Sequence, residues 1–214
     1  MKPLLVDLFC GPGGAAKGYS DAGFEVVGVD INPQPDYPFE FVQSNALLVP
    51  ELLLQQAQLI HASPPCQGYM RGSTATGNRY PRLIPLIRSI LRTTNTPYVI
   101  ENILQARPAL KEPIRLCGEM FGLSTIRHRL FESSFHLHQP DHLPHRGRVR
   151  GWRHGTYFDG PYVAIYGKGG GKATILEAQN ALGISWTSDW KSLCEAIPPA
   201  YTKWIGEEFL GKYH

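Results

Sequence analysis

The sequence predicts an α/β protein built on a mostly parallel sheet with helices on both faces. Two observations predict that architecture. Strand-like apolar runs alternate with helix-like segments through residues 1–135, the pattern of a sheet crossed over by helices. The residues able to do chemistry also collect where the strand-like runs end: the glycines of 11–14, then Asp30, Asn45, Cys66 and Glu101. In open α/β sheets ligands bind at the carboxyl ends of the strands, so this coincidence outweighs any one residue.

Residues 4–9 form a short apolar run that ends in glycines, a buried strand. Residues 15–22 read as a helix, and the valine-rich 25–30 as a strand ending on Asp30. A third strand is expected at 39–43 and a helix at 52–57. The strand at 59–62 runs into Ser63-Pro64-Pro65-Cys66. Residues 82–92 carry apolar side chains at helical spacing, and 98–100 form a strand ending at Glu101-Asn102. Pro198-Pro199 opens a last helix reaching about Leu210, since proline suits a first helical turn.

The chain of 214 residues can enclose one sizeable core. Its parts read as a core at 1–135, a basic insert at 136–171 and closing helices at 172–214. A net charge of +3 permits a nucleic-acid partner without demanding one. No signal peptide opens the chain and no apolar run is long enough for a bilayer. With four cysteines and no C-x-x-C pair, the sequence reads as a cytoplasmic, monomeric protein with free thiols and no membrane partner.

Phe9-Cys10-Gly11-Pro12-Gly13-Gly14 links a strand to a helix, and Asp30 lies 16 residues past Gly14 at the next strand's end. An acid there can bond the hydroxyls of a ribose. The turn is not G-x-G-x-x-G, and Pro12 removes a backbone donor from any phosphate cradle. A cofactor without a pyrophosphate, such as S-adenosylmethionine, fits; a tight turn without a ligand fits as well. Cys66 is one thiol of four, but it stands in a stiff loop at a strand end beside that turn, where a thiolate could act as a nucleophile.

These blocks resemble the DNA (cytosine-5) methyltransferases, in that family's order and over most of the chain. Phe9 to Gly14 resembles the cofactor loop and Pro65-Cys66-Gln67 the nucleophile block. Glu101-Asn102-Ile103 resembles the Glu-Asn-Val block, Arg127-His128-Arg129 the Arg-x-Arg block, and Ala196-Ile197-Pro198-Pro199 the closing block. Short phage-type DNA methylases, orphan or in restriction-modification, are the nearest flavour. The resemblance implies a class I S-adenosylmethionine-dependent methyltransferase with a Rossmann-like sheet. It implies that Cys66 attacks carbon 6 of cytosine, so that carbon 5 takes the methyl. Glu101 would hold N3 and the exocyclic amine, Arg129 would contact O2 or the backbone, and Arg127 would stabilise the site nearby. For S-adenosylmethionine it implies Phe9 near the adenine, Gly11, Pro12 and Gly13 along the methionine, Asp30 on the ribose and Ile31 on the adenine. Pro65 would line the methyl end, with Ala196 in the closing block. The partner would be DNA whose base is flipped out or single-stranded.

Asn45-Ala46 stands where the family usually has an acid then an aliphatic residue; its carbonyl can still accept from an adenine amine. Glu195 replaces the usual Asn of the closing block. The family's large target-recognition domain has no room here. The candidate replacement, 136–154, holds His136, His138, His142, His145 and His154 with Arg146, Arg148, Arg150 and Arg153. Phosphate contacts that position without specifying sequence are expected from it, together with Arg71, Ser73, Thr74 and Arg79 of the 68–80 loop. The histidines have possible metal spacings, but no cysteine pair accompanies them, and a solvated or phosphate-facing loop without metal is the expectation. The same chemistry on RNA or a free cytosine nucleotide stays open, as does a catalytically silent nucleic-acid-binding protein.

Overall fold

The computed structural model of the chain describes residues 1–70, 80–153, 155–167 and 173–213, the side chains of 153, 212 and 213 excepted. Arg71, Ser73, Thr74, Arg79 and His154 lie outside the described residues, as does the side chain of Arg153. A sheet of seven strands forms the centre, in the order β3-β2-β1-β4-β5-β7-β6. The strands are β1 (Leu4–Leu8), β2 (Glu25–Asp30), β3 (Glu40–Gln43), β4 (Leu59–Ala62), β5 (Tyr98–Asn102), β6 (Ile114–Leu116) and β7 (Arg129–Ser133). β1 to β5 are parallel, whereas β7 runs antiparallel to both β5 and β6. A separate two-stranded ribbon joins β8 (Gly151–Arg153) to β9 (Thr156–Phe158). The helices are α1 (Gly14–Ala22), α2 (Glu51–Gln56), α3 (Ile84–Thr93), α4 (Ile175–Leu182), α5 (Trp190–Glu195) and α6 (Pro199–Tyr213).

The alternation of strand and helix over the first hundred residues therefore produces the expected sheet, with ends displaced by a residue or two. β4 and β5 are buried along their whole length, as strands covered on both faces must be. β6 and β7 are the departure from the expected pattern. β6 has three residues, and β7, Arg-Leu-Phe-Glu-Ser, mixes charge with apolar residues, so neither presents an apolar run. β7 is held from below by a buried ion pair: both carboxylate oxygens of Glu132 accept from Arg88 of α3 at 2.6 Å. Lys111 N also donates to Glu132 at 2.8 Å.

One face of the sheet is covered by α1 and α6, and the other by α2, α3 and the turn after β5. Glycine makes the close approach of α1 to the returning end of the chain possible. A Cβ on Gly14 would lie 2.2 Å from Ile197 O, and one on Gly18 would lie 2.1 Å from Pro199 O. Thr202 Oγ1 then donates to Ala15 O at 2.8 Å, tying the end of the chain to its beginning. α4 and α5 pack as a smaller apolar cluster with Ile165 and Ala196. Among the described residues no helix is long and apolar enough to cross a membrane.

Replacing Gly18 with Ala tests the close approach. Alanine is favoured over glycine in a helix by about 1 kcal/mol, but here its methyl meets rigid backbone, and overpacking costs about 1–3 kcal/mol. The clash should win, lowering the thermal midpoint by roughly 2–6 °C. An unchanged or raised midpoint contradicts the packing described.

Candidate active site

The predicted residues converge at the carboxyl ends of β1, β2, β4 and β5. β4 ends at Ala62, and Ser63-Pro64-Pro65 leads to Cys66, which starts a single 3-10 turn over Gln67–Tyr69. The prolines remove backbone donors and fix φ. The strand next to it anchors the loop: Asn102 Nδ2 donates to Pro64 O at 2.8 Å. Cys66 is thus set between the ends of β4 and β5, half-buried and close enough to Glu101 and Arg129 to feel both charges. Burial, with Glu101 second, pushes its thiol up, while Arg129 opposes the shift. The group at rest is therefore a thiol, and any nucleophilic role would require it to lose that proton.

Glu101 is buried on β5. Burial raises its carboxyl above the usual range, and Arg129 then Arg127 pull it back. Arg129, from the start of β7, brings Nε within 3.0 Å of Glu101 Oε1. That contact is an ion pair without an aligned hydrogen bond, so Oε1 retains its accepting capacity among the described residues. Arg127 has a different environment. It is buried, its Nη1 donates to Ile165 O at 3.2 Å and its Nη2 to Cys194 O. Burial, with Arg129 next, lowers it to about 9. Two of its donors are spent on backbone carbonyls, so Arg127 holds the segments around 165 and 194 against β7, a positioning role.

Two residues not singled out in the sequence complete the site. His61, buried within β4, meets Tyr19 Oη through Nδ1 at 3.0 Å and Ser63 Oγ through Nε2 at 2.9 Å. Burial lowers its pKa to about 3, so the ring is neutral. Ser63 in turn hydrogen-bonds Glu101. With Glu101 ionised, the proton order follows: Tyr19 donates to His61 Nδ1, His61 Nε2 donates to Ser63, and Ser63 donates to Glu101. A histidine in the otherwise apolar Leu-Ile-His-Ala strand was the available signal.

The glycine turn carries the second half of the site. Phe9 and Gly11 adopt positive φ of 57° and 50°, and a Cβ on Gly11 would meet no atom within 4 Å. The turn therefore opens on free space that a ligand can approach closely. Asp30 Oδ2 accepts from Gly11 N at 3.1 Å and Oδ1 from Asn32 N at 2.9 Å, which fixes the carboxylate beside the turn. Ile31 next to it is 61% exposed, an apolar side chain with one face open. An acid with spare lone pairs between an open glycine turn and an uncovered apolar residue fits the ribose and adenine of S-adenosylmethionine. Asn45 Oδ1 already accepts from Leu47 N at 3.0 Å, so an adenine amine would have to use its second lone pair. Trp186 Nε1 donates to Pro12 O at 2.7 Å, and Ala196 is buried beside Ile197, whose carbonyl rests on Gly14.

Several side chains of the basic insert have defined partners. Arg146 pairs with Glu119 at 2.6 Å and Arg150 with Glu177 at 2.5 Å, so two of its arginines already have carboxylate partners. Arg148 lies over the Phe158 ring at 4.8 Å. His136 and His138 are exposed, but His142 and His145 turn inward onto His128 and Cys117.

No protein-family model and no curated protein matches the chain. Solved structures do. The Dnmt2 methyltransferase of S. pombe superposes with a TM-score of 0.68 at 13% identity, covering 99% of each chain. A methyltransferase of Entamoeba histolytica, EhMeth, gives 0.66 at 14% identity, covering 100% of this chain and 99% of that one. A putative DNA modification methyltransferase from an E. coli prophage gives 0.64 at 14%, covering 98% and 99%. The fold is that of the class I S-adenosylmethionine-dependent methyltransferases.

Asp7, next to the end of β1, is 1% exposed, and neither carboxyl oxygen has an aligned hydrogen bond among the described residues. Burial, reinforced by Asp30, raises its pKa well above the ordinary 3.8. The folded protein therefore keeps this proton to a higher pH than the unfolded chain does. Stability from this residue is intact below pH 3.8 and is lost as pH rises toward the folded value. Asp7→Asn should flatten the fall in unfolding free energy between pH 4 and 8, read by chemical denaturation. Parallel pH curves for the two proteins contradict the assignment.

Proposed function

We propose that the protein transfers a methyl group from S-adenosylmethionine to carbon 5 of cytosine in DNA, and that it belongs to the cytosine-5 methyltransferases. The observation that carries the reading is the grouping of Cys66, Glu101 and Arg129 at the carboxyl ends of the central strands β4 and β5, beside the open glycine turn. Carbon 5 of cytosine is a poor nucleophile until a group adds at carbon 6. Cys66 Sγ, having lost its proton, forms a bond to carbon 6, and the electron pair of the 5,6 double bond moves toward carbon 5. Glu101, raised by burial, is able to share a proton or hydrogen bond with N3 and the exocyclic amine as the ring gathers charge. Arg129 balances Glu101 and offers its guanidinium to the ring's O2.

Phe9, Gly11, Pro12, Gly13, Asp30, Ile31, Asn45, Pro65 and Ala196 would hold the cofactor, with Asp30 on the ribose hydroxyls. S-adenosylmethionine supplies an electrophilic methyl group when bound. Once carbon 5 is methylated, its proton leaves to a base, the sulfur–carbon 6 bond breaks, and the Cys66 thiolate is regenerated. The base must be flipped out or single-stranded to reach Cys66. The ribbon of β8 and β9 presents Trp152 and Tyr157, 69% and 49% exposed with ring centroids 5.6 Å apart. Exposed aromatic rings suit stacking on unpaired bases.

Incubation with methyl-labelled S-adenosylmethionine and four substrates tests this: duplex DNA, single-stranded DNA, RNA and cytidine monophosphate. Label should enter cytosine of DNA, and Glu101→Gln should lower kcat by roughly 100-fold or more. Label in RNA or nucleotide alone overturns the DNA assignment, and label in none overturns the activity.

A further inference from the structure

We propose that Cys117, His128, His142 and His145 form a closed zinc site that staples the insert to the catalytic sheet. One ligand atom from each of the four lies within 4.8 Å of all the others. Three adjacent separations are recorded: Cys117 Sγ to His145 Nε2 is 3.4 Å, His145 Nε2 to His142 Nε2 is 3.2 Å, and His142 Nε2 to His128 Nε2 is 3.4 Å. Zinc bonds of about 2.05 Å to nitrogen and about 2.3 Å to sulfur place neighbouring ligands about 3.3–3.6 Å apart around a tetrahedron. These three separations lie within about 0.2 Å of tetrahedral edges, and the remaining pairs lie within 4.8 Å.

Hydrogen bonding accounts poorly for the same arrangement. A neutral ring nitrogen has either one N–H or one lone pair. His142 Nε2 and His145 Nε2 each face two partners, so the three contacts in series require shared protons or shared lone pairs. A cation at the centre uses all four lone pairs at once. The set of one thiolate and three imidazoles suits zinc, and four protein ligands leave no open position, the mark of a structural site.

The placement gives the site a task. Cys117 follows β6 and His128 precedes β7, so these two ligands sit at adjacent ends of a strand pair. His142 and His145 come from 136–145, which has no regular secondary structure and few backbone bonds of its own. That segment is attached instead by side chains: Leu137 enters the core, and Gln139 exchanges hydrogen bonds with the Arg115 backbone at 2.8 and 3.0 Å. A metal bond to His142 and His145 completes the attachment. Because His128 lies between Arg127 and Arg129, the same ion fixes the entry to the strand that carries Arg129 to Glu101. Binding energy at such a site is folding energy.

Metal analysis of the purified full-length chain after zinc addition and dialysis should find one zinc per chain. The cobalt(II) form should show tetrahedral visible bands and a near-ultraviolet sulfur-to-cobalt band, the latter lost in Cys117→Ser. His142→Gln and His145→Gln should weaken zinc affinity by more than the roughly 10–100-fold that loss of a supporting partner costs. His136→Gln and His138→Gln should leave it unchanged. Absence of stoichiometric zinc in the unaltered protein overturns the proposal, as does a cobalt spectrum that Cys117→Ser leaves unaltered.

Discussion

The contact between α1 and the returning end of the chain is the constraint on which the remaining structure depends. Gly14 and Gly18 let the backbone at Ile197 and Pro199 come to a distance that no other residue permits. The consequence is chemical as well as structural. The same approach sets the glycine turn at the amino end of α1, with Trp186 bonded to Pro12 and Cys194 bonded to Arg127. The glycine turn, the segment around Ile197 and β7 are thereby located by one packing event. The cost of ordering a long chain is repaid only if such distant contacts form together.

Within that frame the electrostatics of the site follow from burial. Two ionisable groups, Cys66 and Glu101, are both pushed toward their neutral forms by the same low-dielectric surroundings. Arg129 opposes both shifts from one position. For the proposed reaction, a nucleophile neutral at rest and an acid readily protonated would be complementary, because charge would appear only as the base is attacked. The neutral His61 and Ser63 behind Glu101 supply a fixed hydrogen bond without adding a charge.

What could be read in the sequence was what is local. Strands β1 to β5 and helices α1 to α3 announce themselves through periodicity, and Cys66, Glu101 and Asp30 stand at strand ends whose positions that periodicity fixes. β6 and β7 were not legible, because their pairing rests on long-range partners such as Arg88 rather than on apolar runs. His61 and Ser63 gain meaning only once Tyr19 is found 42 residues away from His61. The inward contacts of the insert escape the sequence for the same reason. No cysteine pair marks its histidines, yet Cys117 reaches His145 across 28 residues. Two of its arginines, free for phosphate as far as the sequence tells, are engaged by Glu119 and Glu177.

Covalent capture of the base by Cys66 is the central claim. DNA containing 5-fluorocytosine blocks loss of the carbon-5 substituent and so arrests the reaction after the sulfur–carbon 6 bond has formed. With S-adenosylmethionine present, the protein should yield a denaturant-resistant adduct whose modified peptide contains Cys66, and Cys66→Ser should yield none. A soluble, folded protein that binds this DNA without any adduct would contradict the account.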